Sequence, residues 1–280
     1  MPELPEVEVL MRHLRGVIRG RTIRGVTVRR AKVLRPTSPG EFRRRLTGAT
    51  FAGVARRGKY LLFELRVKHG GRFTLLGHLG MCGRIFLAAK SRPLPKHAAV
   101  VLDLGAANFI YEDSRYFGRL TLDLAPVEKL GPEPLGDRFD PAGFAQALKR
   151  SGQAIKIKLL DQGLVAGIGN IYASEALFRA GISPRRLARK LTAKQVNRLW
   201  RAIRGVLRDA IAGGSTVPLD FGGGSDGLFY FGRAADAAGY YDERLRIYDR
   251  AGEPCRTCGN LIRRIRQGSR STFYCPGCQR

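Results

Sequence analysis

Acidic residues are the scarce charge in this 280-residue chain: 23 Asp and Glu stand against 50 Lys and Arg, a formal charge of +27. Long hydrophobic runs are also missing. No uninterrupted apolar stretch approaches the roughly 20 residues of a membrane-spanning helix. The N-terminus is acidic, unlike a signal peptide. Cysteine is sparse, and four of the five fall in one C-terminal cluster. That distribution argues against a disulfide framework and points to a reducing, cytoplasmic setting. The apolar fraction, 44%, is ordinary for a globular chain, and the length allows two domains and a good-sized core. In such a chain, a large positive excess points to a polyanionic partner, with nucleic acid ahead of an anionic membrane surface.

Periodicity divides the chain. Leu4, Val7, Met11 and Leu14 give one helical stripe. Strand-like runs then follow at 22–29, 50–54, 60–65, 72–76, 84–87, 99–104, 109–111 and 120–122, separated by Gly, Asn or basic turns. Short strands at close spacing predict an antiparallel sandwich or barrel rather than βαβ units. The Pro- and Gly-dense stretch 131–137 reads as an interdomain linker. Beyond it the period is helical: 141–150, 154–162, and 171–180 with Asn170 as candidate N-cap. A further helix opens on a Thr192–Gln195 capping box and ends at Gly213-Gly214. Gly-rich, aromatic-bearing residues 213–240 read as a mobile loop.

Four constellations carry chemistry. Cys255-x2-Cys258 and Cys275-x2-Cys278, sixteen residues apart, match a four-cysteine site for one structural Zn(II) rather than a redox pair. Arg256, Arg263, Arg264, Arg266, Arg270 and Arg280 surround them without one Asp or Glu, a face suited to phosphates. Gly167-Ile168-Gly169-Asn170 presents backbone N–H groups and a helix N-terminus, an anion site. Arg57-Gly58-Lys59-Tyr60 sets a lysine just before a strand. It is either a solvated basic turn or a group that depresses a neighbouring amine's pKa and shuttles protons. Pro2-Glu3-Leu4-Pro5-Glu6 is open to two readings as well. It can be an acidic helix start. With Met1 removed, it can instead be a secondary amine able to form an iminium ion, with Glu3 and Glu6 as proton donors or orienting groups.

These residues, with Gly58-Lys59-Tyr60-Leu61-Leu62, His78-Leu79-Gly80-Met81, Gly169-Asn170-Ile171-Tyr172-Ala173-Ser174-Glu175 and the terminal four-cysteine finger, resemble the bacterial formamidopyrimidine-DNA glycosylase family from first residue to last. Leu4 resembles that branch better than the endonuclease VIII branch. The resemblance implies a multi-domain α+β chain: an N-terminal antiparallel β-sandwich with a flanking helix (1–133), a helix–two-turn–helix domain (134–240, including the 213–240 loop) and a four-cysteine zinc finger (241–280). It implies a monomer that excises oxidised purines, 8-oxoguanine and formamidopyrimidines, from damaged duplex DNA and then cleaves the strand. Under it Pro2 is the nucleophile, Glu3 the proton donor, with Glu6 in support, Lys59 serves β-elimination, and Arg270 grips phosphate and assists δ-elimination. Asn170, Lys156, His97 and Arg150 become DNA contacts. Met81, Arg115 and Phe117 fill the gap left by an extruded base.

The chain departs from the family pattern in places. Asp113-Ser114-Arg115-Tyr116-Phe117-Gly118 stands where Asp-Pro-Arg-Arg-Phe-Gly is common, and Ala98-Ala99 follows His97. The 215–240 loop, where Ser215 and Thr216 could contact a base, is longer and richer in Gly. These differences bear on lesion range. A second function class shares the charge, finger and phosphate loop: a non-catalytic DNA-binding zinc protein. Pro2, Glu3 and Lys59 separate the two, because binding alone needs no N-terminal secondary amine.

Overall fold

The computed structural model describes residues 2–68, 70–214 and 245–280, which form two compact units. Pro2 with Glu6–Glu128 makes the first; Glu3–Pro5, 129–214 and 245–280 make the second. The loop expected at 213–240, with Ser215 and Thr216, lies outside the described residues from position 215 on.

Helix α1 (Leu4–Ile18) gives Val7, Met11 and Leu14 of the predicted stripe to the first unit's core, with Leu10 and Ile18 beside them, whereas Leu4 belongs to the core of the second unit. The strands are β1 (Gly25–Val28), β2 (Thr50–Arg57), β3 (Tyr60–Arg66), β4 (Arg72–His78), β5 (Arg84–Ala89), β6 (Ala98–Asp103), β7 (Ala107–Glu112) and β8 (Arg119–Thr121). They form two antiparallel sheets of four, ordered β1-β6-β7-β5 and β2-β3-β4-β8. In β3, Leu61, Phe63 and Leu65 turn inward while Glu64 and Arg66 stay exposed, the period-two alternation of a half-buried strand. Phe63 of one sheet meets Phe109 of the other edge-on at 5.5 Å, and Phe51 joins both. The sheets thus close on one core as a sandwich.

Three short elements were not anticipated. The turn at Ala31–Leu34 buries Val33 and Leu34, and helix α2 (Pro39–Leu46) buries Phe42 and Leu46. Ser38 caps α2 by accepting the Glu41 N–H, with Pro39 in its first turn. A final turn of helix, α3 (Ala125–Glu128), closes the unit.

The second unit is helical: α4 (Pro141–Lys149), α5 (Ile155–Leu159), α6 (Asn170–Arg179) and α7 (Ala193–Ala212), followed by the hairpin β9 (Arg263–Gln267) and β10 (Arg270–Tyr274). Asp140 caps α4, and the Thr192–Gln195 box opens α7 with both reciprocal bonds present. Gly213 ends α7 as expected. The helix expected over 154–162 stops at Leu159. Asp161 turns the chain by accepting the Gly163 N–H, and the Gln162 amide bonds the Gly167 N–H and the Ile168 carbonyl instead of extending the helix. The 131–137 stretch is not a free linker. Gly131 donates to the Gln162 carbonyl, Pro132 accepts from Ala166, and Arg204 grips the Pro134 and Gly136 carbonyls at 3.0 Å each. Among the described residues, no helix is long and apolar enough to cross a membrane.

Candidate active site and metal centre

In the second unit the chemistry gathers at the start of α6. Gly169 takes the N-cap position, and a glycine offers no side chain to the first N–H groups of the helix. Glu3 supplies it from the other end of the sequence. Its Oε2 accepts the Gly169 N–H at 2.7 Å and the Tyr172 N–H at 3.3 Å, and its Oε1 accepts the Ile171 N–H at 2.8 Å. The carboxylate is only 1% exposed. Three N–H donors and the positive end of the helix favour its ionised form. The chain beside it is fixed in place: Leu4 donates to the Gly167 carbonyl at 3.0 Å. Gly167 has φ 85°, and a Cβ there would lie 2.7 Å from Leu4, so only glycine allows this approach.

Asn170 is therefore not the cap; it is the first helical residue. Its side chain joins three elements. It accepts from the Lys156 ammonium of α5, donates to the Ser271 carbonyl of β10 at 2.9 Å, and bonds the Tyr248 hydroxyl. Lys156 is fully buried. Burial pushes its pKa down to about 8; the charge of Glu3 opposes that shift and Arg270 adds to it. Arg270 itself is exposed at the start of β10. Glu3, Lys156, Asn170 and Arg270 thus share one neighbourhood, although sequence separates them widely.

The lysine makes a pH prediction. Between about pH 8 and the ordinary lysine value of 10.5, the unfolded chain holds a proton that the folded chain has released. Stability contributed by this group therefore rises with pH across that window. In Lys156→Met the rise should vanish. Urea unfolding of both proteins from pH 7.5 to 10.5 checks this, and identical pH slopes would contradict it.

Glu175, not singled out from sequence, sits on the same helix. Its buried carboxylate accepts the N–H groups of Arg246, Ile247 and Tyr248 at 2.9–3.1 Å. Burial raises its pKa, and these backbone donors counter the rise. The bonds hold the segment that leads into the finger and carries Tyr248.

The four predicted cysteines converge. Their sulfurs all lie within 4.8 Å of one another, with Cys258 to Cys275 at 3.3 Å and Cys255 to Cys278 at 3.8 Å. A tetrahedral ion at the usual ~2.3 Å from each sulfur would separate them by about 3.8 Å, so the cluster fits one. Asn260 holds the Cys258 thiol down to about 6 through side-chain and backbone bonds, while burial and neighbouring sulfurs push Cys275 and Cys278 up. A cation among them would stabilise all four as thiolates against their mutual repulsion.

In the first unit, Pro2 and Glu6 are buried. Lys59 lies in the two-residue turn between β2 and β3 and is 8% exposed, so the solvated-turn reading does not hold. Its charge acts on His78, another residue the sequence reading passed over as a site. Burial first, then Lys59 and Arg119, push His78 down to about 4. The neutral ring accepts the Gly80 N–H on Nδ1 at 3.3 Å and packs 4.7 Å from the Tyr60 ring.

Met81, Arg115 and Phe117 are brought together. Arg115 approaches the Met81 sulfur at 3.4 Å and lies 4.8 Å from the Phe117 ring centre. Met81 and Phe117 are 39% and 51% exposed, unusual for such side chains. Fully buried Asp113 shapes their loop by accepting the N–H groups of Arg115 and Gly118. A Cβ on Gly80 would lie 2.6 Å from the Gly118 nitrogen, so close backbone contact locks the two segments. His97 is half-buried and its carbonyl accepts the Asp113 N–H at 3.2 Å. Arg150 is exposed at the C-terminus of α4.

Comparison with known proteins matches every part of this chain. Residues 1–120 match the formamidopyrimidine-DNA glycosylase N-terminal domain, 130–220 the H2TH domain of that glycosylase, and 252–280 a zinc finger found in FPG and IleRS. Proteins named formamidopyrimidine-DNA glycosylase from Laribacter hongkongensis and Desulfitobacterium hafniense are 39% and 41% identical, with 100% of both chains covered. A solved structure of the wild-type Lactococcus lactis Fpg (MutM) with DNA containing N7-benzyl-Fapy-dG superposes with a TM-score of 0.87 at 35% identity, covering 100% of each chain. MutM in complex with carbocyclic 8-oxo-G-containing DNA gives 0.86 at 36% identity, again with both chains covered in full.

Proposed function

This chain belongs to the formamidopyrimidine-DNA glycosylase family, and from that premise we propose that it excises 8-oxoguanine and formamidopyrimidines from damaged duplex DNA and then cuts the strand by β,δ-elimination. It is a bifunctional DNA glycosylase and abasic-site lyase; action as a monomer in the cytoplasm is part of the same proposal. The observation that carries this reading is Glu3. A carboxylate buried on three N–H groups, one residue after an N-terminal proline, serves a reaction and is not needed for binding.

The chemistry follows from these groups. Pro2 reacts as the free amine, so its ammonium proton must leave first. Glu3, favoured as carboxylate, takes that proton. The Pro2 nitrogen attacks C1′, the glycosidic bond breaks, and the base departs with its electron pair and takes up the proton that the attacking nitrogen loses. Glu3 returns the proton as the sugar ring opens, leaving an iminium ion between Pro2 and C1′. Loss of a C2′ proton then expels the 3′ phosphate, with Lys59 serving this stage, and a second elimination expels the 5′ phosphate near Arg270. Met81, Arg115 and Phe117 occupy the place of the extruded nucleotide. Asn170, Lys156, His97 and Arg150 act on the DNA backbone, Lys156 through the Asn170 amide. One Zn(II) held by Cys255, Cys258, Cys275 and Cys278 would supply folding energy to the finger and no chemistry. The domain division 1–133, 134–240 and 241–280 belongs to the same proposal.

Glu3→Gln tests the reading. The amide keeps one acceptor oxygen and turns an NH₂ toward backbone donors, so the fold should lose on the order of 1–3 kcal/mol. Base release should slow by roughly 10²–10⁴, the usual worth of a positioned acid–base group. Binding to the lesion duplex should persist. Thermal unfolding and single-turnover assays on 8-oxoguanine and formamidopyrimidine duplexes measure all three. Release by the variant at the wild-type rate would remove Glu3 from its role. A wild-type protein that releases no base from any duplex of the panel would leave only the binding-protein reading.

A further inference from the structure

The loop bearing Arg115 and Phe117 is flanked by cations that the proposed reaction has not used. Arg30 and Lys32 stand on the short turn after β1, and both are exposed. The Arg30 Nε donates to the Tyr116 hydroxyl at 3.2 Å, and its guanidinium carbon lies 5.7 Å from that ring's centre. Lys32 Nζ lies 5.9 Å from the centre of the Phe117 ring. Arg29 reaches the Pro95 carbonyl beside them. The carboxylate of the same loop, Asp113, is fully buried and committed to two backbone N–H groups rather than to a surface cation.

We propose that Arg30 and Lys32 are DNA-backbone contacts that enter the duplex groove together with the Phe117 wedge. The inference rests on the glycosylase reading and adds two residues to its DNA interface. Position 116 is a tyrosine, and a guanidinium reaches its hydroxyl from a residue 86 positions away in sequence. Tyr116 has φ 54°, a strained value for a residue with a side chain, and the Arg30 contact fixes its ring there. The cations on Phe117 are poised to exchange partners. A cation on an exposed ring face is held only weakly. When a base stacks on that face the cation must leave it, and the anion next to a base step is a phosphate. Lys32 keeps all three ammonium donors for that contact, since its one close partner among the described residues is the ring. An exposed aromatic bracketed by like-signed cations suits stacked bases between phosphates and repels an apolar protein partner.

Salt-dependent binding to a duplex carrying a tetrahydrofuran abasic-site analogue tests this. Each phosphate neutralised contributes about 0.9 to the slope of log K against log salt. Arg30→Ala with Lys32→Ala should reduce that slope by about 2 and weaken binding roughly ten- to hundredfold near 0.1 M salt. Arg30→Lys with Lys32→Arg keeps the charges and should keep the slope. Tyr116→Phe removes the hydroxyl contact but no charge, and should also keep it. The proposal is overturned by an unchanged slope in the double alanine variant. It is equally overturned if Tyr116→Phe loses as much slope, because the two cations would then act only by holding the loop. Wild-type protein that does not bind the duplex would instead strike the glycosylase reading itself, so the two failures are distinguishable.

Discussion

Protein that retains Met1, or carries any N-terminal extension, is expected to give no borohydride-trapped adduct with an 8-oxoguanine duplex, while processed protein gives one at Pro2. The cause is electronic. In a peptide bond the nitrogen lone pair is delocalised into the carbonyl, so an acylated Pro2 has nothing to attack with. A free α-amino group has a pKa of roughly 7.7–8.0, which leaves about a tenth of it neutral at pH 7, far more than a lysine would offer. Glu3 alone would hold the amine protonated. In this structure, however, its oxygens are already engaged by three N–H donors, which spreads its charge and weakens its grip on the ammonium. Blocking the amine removes the nucleophile without touching Arg270, Asn170 or the Phe117 loop, so affinity for lesion DNA should change little. Trapping followed by peptide mapping, with gel-shift binding in parallel, reads both quantities. An adduct mapped to a lysine, or full trapping by tagged protein, would take the reaction away from Pro2.

Sequence patterns revealed those parts of the fold whose signal is local. The alternation of Leu61, Phe63 and Leu65 lies within one strand, the Thr192–Gln195 box within one turn, and the cysteine pairs within 24 residues, and each stands as expected. What escaped is what folding brings in from elsewhere. Asn170 has the right residue type for a cap, but the capping carboxylate comes from Glu3, 168 residues before the Ile171 N–H that it accepts. A backbone at Gly169 then suffices, and Asn170 is released to join Lys156 and Ser271. Helix α2 escaped because eight residues, half of them charged and two of them buried apolar ones, give too short a period, although Ser38 and Pro39 marked its start. The 131–137 stretch looked like a tether because prolines and glycines punctuate it. Its carbonyls are nonetheless spent on Arg204 of α7, a partner no local pattern names. His78 shows the same limit. Its neutrality follows from burial beside Lys59 and Arg119, and burial is a property of the assembled sheets.

Replacing Cys258 by Ser should lower metal content from one ion per chain to near zero and weaken DNA binding in the same step. The finger has little else to hold it. Its own core consists of Ile247, Cys255, Ile262, Phe273 and Cys275, with a few partly buried neighbours, and two of these are the proposed ligands themselves. So small a core cannot offset the entropy of ordering the chain, whereas a structural zinc contributes roughly 10–16 kcal/mol at neutral pH. The consequence travels through named bonds. Hairpin β9–β10 carries Arg270, and its Ser271 carbonyl accepts the Asn170 amide while its Ser271 hydroxyl accepts from Arg264. With the hairpin unfolded, Asn170 loses its orienting partner and Arg270 its position. Losing two charge-assisted contacts of about 1.5 kcal/mol each corresponds to roughly a hundredfold in affinity. Glu3 and α6 do not depend on the metal, since their bonds lie among Gly169, Ile171 and Tyr172. The helical part of the second unit should therefore keep its thermal transition while the finger's is lost. Elemental analysis, fluorescence anisotropy on lesion duplexes and calorimetry, run on the variant and on chelator-treated wild type, give the three readouts. Metal-free protein that binds DNA at full affinity would show that the four cysteines do not organise the interface.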